Sequence, residues 1–435
     1  MLSIAAILLL VVTACAPAAA PTATPTKAAA PAATTAAPAA TVGAAATKPA
    51  ATTPAAGAAA TPAAKAPTGN PVKIGFINPL SGPTSAYGFL QRIAVNMAVE
   101  DVNATGGING SPLQLVTDDS PFDPKQAVIV VRKQSEQDKV FAIVGPYSSG
   151  EMEVAAPLAN QLQIVVASGS STKVGVAENN RPWSFQMNVP DAIAQPPTIA
   201  GYKKLYPNVK NVVIIGDTKN AVTQYMVVDQ MPKLLPAAGY KIIDTLAFDT
   251  GLTDFSAIVT KAKGLNPDGI VVCALQAEGV GLAKELQRQG VKAPVMTDAH
   301  PMGGPIVELA GDAVNGWVMP SLFDWENPDP KVQAFVKRFM EKAQADPSVN
   351  PKPNHLVTEA SYYDTVMIFA DIMRKAGVKA DTNLQTARKA VLDGMTSLKG
   401  YQGIGGPISM LPTGNAERIG PPPFVAENGK YRILR

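Results

Sequence analysis

The sequence is poor in the side chains that build metal sites, disulfide frameworks and most hydrolytic centres. Its 435 residues contain two cysteines, Cys15 and Cys273, and two histidines, His300 and His355. So few cysteines exclude a disulfide framework or a cysteine-rich zinc site. Two isolated histidines supply neither a catalytic triad nor a zinc-binding set, so we predict no metal site.

The chain also lacks a strong excess of charge and a long apolar segment. Lysine and arginine number 37 against 34 aspartates and glutamates, a formal net charge of +3, which gives no broad basic face for nucleic acid. We therefore predict no nucleic-acid partner. The apolar run at residues 4–14 is too short to span a bilayer as a helix.

Sequence signatures of the common enzyme classes are missing as well. No G-x-G-x-x-G follows a predicted strand, and neither a Walker phosphate loop nor a G-x-S-x-G elbow occurs. We therefore predict a protein without catalytic residues or a cofactor. A dinucleotide-dependent enzyme remains the remote alternative, against which the absent glycine fingerprint counts directly.

The N-terminus has the pattern of a bacterial lipoprotein signal. The apolar run at 4–14 has the length of a signal-peptide core, and Val12-Thr13-Ala14-Cys15 resembles the box whose cysteine is lipidated. The basic residues expected before the core are missing from Met1-Leu2-Ser3, and the alternative is a chance cysteine. We predict a signal peptide over residues 1–15, with lipidated Cys15 anchoring the protein to the extracytoplasmic face of the membrane.

A tether follows the predicted anchor. Residues 16–70 consist almost entirely of alanine, proline and threonine, which cannot bury a core, and the frequent prolines prevent a continuous helix. We predict that this stretch is disordered and partly polyproline-like, and that it holds a folded domain away from the membrane.

Residues 141–172 have the pattern of a strand, a helix and a second strand. Two short apolar runs, 141–144 and 164–167, flank a segment with apolar residues at helical spacing. A right-handed crossover makes such strands parallel and places both following loops at one sheet edge, where ligands bind in open α/β sheets. The first loop runs into a helix N-terminus, which favours an anion. The alternative is a pair of ordinary serine-rich turns.

The same alternation of strands and helices extends along the chain from Val72. One series runs to Pro190, and a second begins after it, with strands at 209–215, 241–248, 269–273 and 295–297. Alternating strands and helices indicate parallel sheets covered by helices. Two such series predict two lobes.

Several segments resemble the leucine/isoleucine/valine-binding proteins, the solute receptors of branched-chain amino acid ABC importers. The matching stretches are IGFINPLSGPTSAYG, AVEDVNATGGINGSPLQLVTDD, DPKQAV, AIVGPYSSG, TDFSAIVTKAKGLNPDGIVV and ELAGDAVNGWV. The resemblance implies an α/β fold of type I periplasmic-binding-protein topology, with two Rossmann-like lobes joined by three crossovers near 190, 320 and 395. Lobe 1 is then 72–190 plus 321–395, and lobe 2 is 191–320 plus 396–435.

The resemblance also implies a ligand site between the lobes. The α-carboxylate of an amino acid is held in this family at positions that match Ser148-Ser149-Gly150 and Gly169-Ser170-Ser171, with Tyr87 over the same cleft. Glu278 matches the acidic residue that holds the ammonium group. A surface glutamate at a helix start is the alternative for Glu278.

Two departures from the family pattern affect the expected site. The family has Tyr-Gly where this chain has Ala221-Val222, so one aromatic wall is missing and the ligand need not be leucine. The family's first-lobe disulfide is also absent, with Phe122 and Ser148 near its two positions. We predict that His300, at a strand end facing the cleft, contacts the ligand; the alternative is a solvated loop histidine.

The resemblance implies a monomeric receptor that delivers an amino acid, or a related small carboxylate, to the permease and ATPase subunits of an importer. The alternative is a sensing module for an amide or an aromatic acid, because one fold serves both uses.

Overall fold

The computed structural model describes residues 66–303 and 305–435. The predicted signal peptide, Cys15 and the tether up to residue 65 lie outside the described residues. Within the described part of the chain, no helix combines the length and apolar character needed to cross a membrane.

The first sheet consists of five parallel strands, which run in the spatial order β2-β1-β3-β4-β5. Their bounds are Val72–Asn78 (β1), Leu113–Asp119 (β2), Ala142–Val144 (β3), Val165–Ser168 (β4) and Ser184–Gln186 (β5). Strands β3, β4 and β5 are buried at every residue, as expected where helices cover both faces of a sheet. Three helices lie between these strands in sequence: Ser85–Ala104 (α1), Pro124–Glu136 (α2) and Ser149–Leu162 (α3).

The second sheet begins after the helix Asp191–Leu205 (α4). Its first strands are Asn211–Asp217 (β6), Lys241–Phe248 (β7), Gly269–Cys273 (β8), Val295–Thr297 (β9) and Val318–Met319 (β10), all parallel. The helices between them are Ala221–Tyr225 (α5), Met231–Ala237 (α6), Ser256–Gly264 (α7), Gln276–Arg288 (α8) and Ile306–Ala310 (α9). A π-helical segment, Met226–Gln230, joins α5 to α6.

The chain then returns to the first sheet. Three helices pack on that side: Pro330–Ala345 (α10), Glu359–Lys375 (α11) and Leu384–Thr396 (α12). A small antiparallel sheet follows, formed by Tyr401–Gly403 (β11), Gly406–Met410 (β12) and Ala416–Glu417 (β13). The last two strands, Phe424–Glu427 (β14) and Lys430–Ile433 (β15), extend the second sheet, which has the order β15-β14-β10-β9-β8-β6-β7.

Three connections join the two lobes, which are the parts built around the two large sheets. The chain passes from β5 to α4, from β10 to α10, and from β13 to β14. The small sheet precedes the third connection and keeps contact with the first lobe, because β11 packs against α11 and Asn415 pairs with Gln186. These contacts favour a third crossing at 418–423, whereas the boundary near 395 stays a prediction from the sequence.

The predicted fold class is confirmed, and the unit at 141–172 shows why the pattern was informative. β3 and β4 are adjacent and parallel, with Ala142 paired to Val165. The face of α3 that carries Met152, Ala155 and Ala159 is fully buried. Both loops that follow these strands therefore lie at the same sheet edge, towards the second lobe.

Candidate functional site

The N-terminus of α3 is fixed by a reciprocal cap. The Ser148 hydroxyl accepts a hydrogen bond from the backbone N–H of Glu151, whose carboxylate in turn accepts one from the Ser148 N–H at 3.0 Å. Ser120 also donates to this fully buried carboxylate, and burial raises the pKa of Glu151. The N–H groups of Ser149 and Gly150, in the first turn, have no intrahelical acceptor and remain available to an anion.

The loops after β3 and β4 bring their serines together. The hydroxyls of Ser149 and Ser171 lie 3.0 Å apart, and Gln186 Nε2 donates to the Ser171 hydroxyl at 3.1 Å. The two hydroxyls have two hydrogens, and the bond between them uses one. Because Ser171 also accepts from Gln186, the second serine hydrogen is free for a ligand. The Ser170 hydroxyl instead donates to the Tyr147 carbonyl at 2.6 Å and contacts the Tyr362 hydroxyl at 2.9 Å, so its role is to support the loop.

Three aromatic rings form a wall beside these serines. The ring centroids of Tyr87, Phe122 and Tyr147 lie 5.4–5.5 Å from one another, and Tyr362 stacks beneath Tyr147 at 6.3 Å. Gly169 packs against the face of Tyr362 so closely that an added Cβ would lie 2.6 Å from its Cδ2 atom. The structure gives Gly169 a steric role, because only glycine lets the loop approach this ring, whereas its role in holding the ligand carboxylate stays a prediction.

Tyr87 connects the two lobes. Its hydroxyl accepts a hydrogen bond from the backbone N–H of Gln276, the first residue of α8, at 2.8 Å, and donates to the His300 carbonyl at 3.4 Å. Burial raises the pKa of Tyr87 well above its usual value, so the hydroxyl keeps its hydrogen. A side chain of α1 thus satisfies an N–H group at the start of a helix in the opposite lobe.

His300 lies in a buried charged cluster, not in a solvated loop. Its Nδ1 atom is 3.0 Å from Asp298 Oδ2, and its Nε2 atom is 3.3 Å from Thr172 Oγ1 and 4.0 Å from Asp191 Oδ2. Burial by itself lowers the pKa of His300, but the charges of Asp298 and Asp191 outweigh burial and raise that pKa to about 9. The imidazole is therefore protonated at neutral pH. The described residues contain no group of three or more side chains suited to a metal ion.

Two adjacent spaces, which share part of their lining, lie between the lobes. The inner cavity has a volume of about 40 Å³, and among the described residues that line it, His300 is the one charged side chain and none is a carboxylate. The outer chamber has a volume of about 950 Å³, and its lining includes Glu153, Lys219 and Glu278. Five residues border both spaces: Tyr87, Phe122, Ser148, Asn220 and Leu275.

The structure brings the residues named from the sequence to this one cleft but distributes them between its two spaces. Tyr87, Ser148, Ser149, Ser170 and His300 line the inner cavity. Gly150, Ala221 and Glu278 line the outer chamber. Gly169 and Ser171 line neither space and act through their contacts with Tyr362 and Ser149.

Several residues of the site were not identified from the sequence. Tyr147 and Thr172 belong to the two predicted loops, so their position was a sufficient signal. Asn220 follows β6 and caps α5 by accepting from the Val222 N–H at 3.1 Å, a helix-start pattern that is recognisable in the sequence. No sequence signal indicated the Phe122 ring or the pairing of Asp191 with His300, because both depend on how distant segments pack.

Residues 71–420 match the sequence profile of the periplasmic binding protein family. The match covers most of the chain and includes the whole first sheet and the five parallel strands of the second. The chain belongs to the periplasmic binding protein family.

The individual relatives share about a quarter of their aligned residues with this chain. A leucine-, isoleucine-, valine-, threonine- and alanine-binding protein from Pseudomonas aeruginosa is 28% identical over 310 residues, which cover 70% of this chain and 79% of that protein. The leucine-specific-binding protein of Salmonella typhimurium is 25% identical over 281 residues, which cover 64% of this chain and 73% of that protein.

Solved structures of periplasmic binding proteins share the fold. A leucine-binding protein from Thermotoga maritima superposes with a TM-score of 0.72 at 22% identity, covering 84% of this chain and 98% of that chain. A solute-binding protein from Rhodopseudomonas palustris, solved with 3,4-dihydroxybenzoic acid, has a TM-score of 0.66 at 19% identity over 79% of this chain and 90% of that chain. Both likenesses concern the fold.

Proposed function

We propose that this protein is an extracytoplasmic receptor that captures an amino acid, or a related small carboxylate, and delivers it to the permease of an ABC importer. The observation that supports this most directly is the hydroxyl cluster at the N-terminus of α3, which lies beside the inner cavity between the lobes. Relatives named for leucine, isoleucine and valine binding favour an amino acid as the ligand.

The carboxylate end of the ligand binds in the inner cavity. Ser149 and Ser171 offer a hydroxyl hydrogen, and the first turn of α3 offers free N–H groups with the positive end of the helix dipole. The protonated His300 adds a positive charge to the same lining. The hydroxyls, the free N–H groups and the His300 charge each stabilise an anion in the inner cavity.

The ammonium end binds Glu278 from the opposite lobe. One carboxylate oxygen of Glu278 accepts a hydrogen bond from the Gly251 N–H at 2.8 Å, and the other remains for the ligand. Glu278 is buried in the first turn of α8, so an unneutralised negative charge there is costly and a cationic ligand group offsets it. Binding to both lobes stabilises the closed state.

The experiment compares leucine with 4-methylpentanoate, which lacks the ammonium group, by titration calorimetry on the wild type, Ser149→Ala and Ser184→Ala. We expect the wild type to bind leucine at least tenfold more tightly than the analogue, and Ser149→Ala to weaken both by about tenfold. Ser184 is the matched control, because it is a buried serine of β5 that does not line the cleft. Equal affinities for leucine and its analogue would remove the amino-acid assignment.

The second candidate is a sensing module for an aromatic acid or an amide. It is favoured by the inner cavity itself, which contains three aromatic rings and no carboxylate to meet an ammonium group. The same titrations with 4-hydroxybenzoate and benzamide distinguish the two: tighter binding of either compound than of leucine supports the second candidate. Co-purification with permease and ATPase subunits separates transport from sensing.

We further propose that the receptor is a monomer, tied to the membrane by a lipid on Cys15 and held away from it by the tether at 16–70. The boundaries of the lobes predicted from the sequence, 72–190 plus 321–395 and 191–320 plus 396–435, remain part of this proposal, except that the contacts of β11 and Asn415 with the first lobe favour a third crossing at 418–423. Cys15→Ser should release the protein into the soluble fraction. A variant that stays in membranes, together with a wild type that carries no lipid by mass spectrometry, would contradict the anchor.

A further inference from the structure

The two spaces of the cleft differ greatly in size. The inner cavity, at about 40 Å³, has room for about three water molecules, which is close to the size of a carboxylate group. The outer chamber, at about 950 Å³, is far larger than the remainder of a single amino acid requires. A ligand whose carboxylate occupies the inner cavity therefore extends its other end into the outer chamber.

The outer chamber carries an unused hydrogen-bond donor. Gln276 is 6% exposed, and its Nε2 atom has no partner among the described residues. Its backbone N–H is held by Tyr87, so the position of the residue in the first turn of α8 is fixed. Because buried donors are nearly always paired in proteins, this amide indicates a ligand acceptor such as a carbonyl oxygen.

An acceptor for a cation lies on the same turn of α8. Glu278 is 4% exposed and lines the outer chamber, not the inner cavity. A donor for a carbonyl and an acceptor for an ammonium thus both line the outer chamber from the first turn of α8. In the first residue of a peptide, the ammonium and the carbonyl are separated only by the α-carbon, so one end of a peptide presents both groups together.

The remaining walls of the chamber suit apolar side chains. Its lining includes Val154, Leu252 and Phe255, together with the ring of Phe122. Ala221 also lines it and leaves open a space that a larger side chain would fill. An added Cβ at Gly150 would lie 3.5 Å from the Ala221 side chain, so both lobes present small residues here.

We infer that the cleft takes a short peptide with apolar side chains, an inference that rests on the proposed function of the cleft as an amino-acid receptor. The C-terminal carboxylate occupies the inner cavity at Ser149 and the start of α3. The first peptide carbonyl accepts from Gln276, and the N-terminal ammonium pairs with Glu278. The carboxylate and the ammonium then belong to different residues of one ligand.

The test titrates leucine, Leu-Leu and N-acetyl-Leu-Leu into the wild type, Glu278→Gln and Ala221→Tyr. We expect the wild type to bind Leu-Leu at least tenfold more tightly than leucine. Glu278→Gln should weaken Leu-Leu at least tenfold and leave N-acetyl-Leu-Leu, which has no ammonium, within about twofold. Ala221→Tyr should weaken Leu-Leu at least tenfold more than it weakens leucine, and circular dichroism checks that the variant is folded.

The outcomes separate this inference from the proposed function. Leucine binding at least as tightly as Leu-Leu, with Ala221→Tyr affecting neither, would overturn the peptide inference and leave an amino-acid receptor. Equal weakening of Leu-Leu and N-acetyl-Leu-Leu by the isosteric Glu278→Gln variant would overturn the ammonium pairing even if Ala221→Tyr does not fold. A wild type that binds none of the three ligands would overturn the proposed function together with the inference.

Discussion

The two histidines should give the protein opposite responses to pH, and His300 gives the sharper test. Its pKa in the folded protein is about 9, against about 6.5 for an unperturbed histidine. Because the folded value is the higher one, the stability that this group contributes is complete below pH 6.5 and is lost as pH rises through 9. A difference of about 2.5 pKa units corresponds to about 3 kcal/mol.

The pH range that tests His300 begins above the pKa of a second buried group, Glu359. Burial raises the pKa of Glu359 from 4.5 to about 7, so the stability that Glu359 contributes is complete below pH 4.5 and is mostly lost by pH 7.5. Between pH 7.5 and 9.5, His300 accounts for a fall of about 2 kcal/mol in the free energy of unfolding. Burial keeps Tyr87 and Cys273, which lie near the cluster, neutral in the folded protein throughout this range. The Cys273 thiol ionises in the unfolded chain at about pH 8.5, so it adds a further fall of about 1 kcal/mol that the wild type and both histidine variants share.

The assay is urea denaturation at pH 7.5, 8.5 and 9.5 for the wild type, His300→Gln and His355→Gln. His300→Gln should be less stable at pH 7.5 and should lose most of the fall towards pH 9.5. His355 is the matched control: burial lowers its pKa to about 4, so its contribution is present above pH 6.5 and is lost only as pH falls through 4. If His300→Gln keeps the wild-type fall between pH 7.5 and 9.5, the cluster does not hold a protonated imidazole.

Three further substitutions probe the closed cleft and the core. Tyr87→Phe removes the hydrogen bond to the Gln276 N–H and should weaken ligand binding about three- to tenfold by calorimetry; unchanged affinity would show that this contact does not favour closure. Gly169→Ala should cost about 1–3 kcal/mol in thermal unfolding because of the clash with Tyr362, whereas Gly264→Ala, with open space around it, should cost little. Arg418→Met should cost about 3 kcal/mol or more in urea, because it leaves Asp364 buried without its partner at 3.2 Å; a loss below about 1 kcal/mol would contradict this.

Much of the fold could be predicted from local patterns. The strands at 241–248, 269–273 and 295–297 were predicted with the bounds that the structure has. The stretch 269–273 is a continuous apolar run, whereas 241–248 mixes apolar with polar residues and is only partly buried. Strand β5 and helix α12 were not predicted: β5 has three residues, too few for a periodic pattern. Helix α12 does follow recognisable signals, Gly377 after α11 and the N-cap Asn383, so it could have been predicted. Cys273 is fully buried in the core of the second lobe, as a free cysteine commonly is when it packs as a small hydrophobic residue.

Some residues of the candidate site could likewise be placed from the sequence, and others only from the structure. The sequence alone determined that Ser148, Ser149, Ser170 and Ser171 lie at one sheet edge, because parallel strands in a right-handed unit place successive loops together. Only the tertiary structure decided that Tyr87 holds the start of α8, that Asp191 and Asp298 enclose His300, and that Glu278 lies in the outer chamber. Those contacts join residues far apart in sequence, and their distances depend on how two separately folded lobes meet, which no local periodicity encodes.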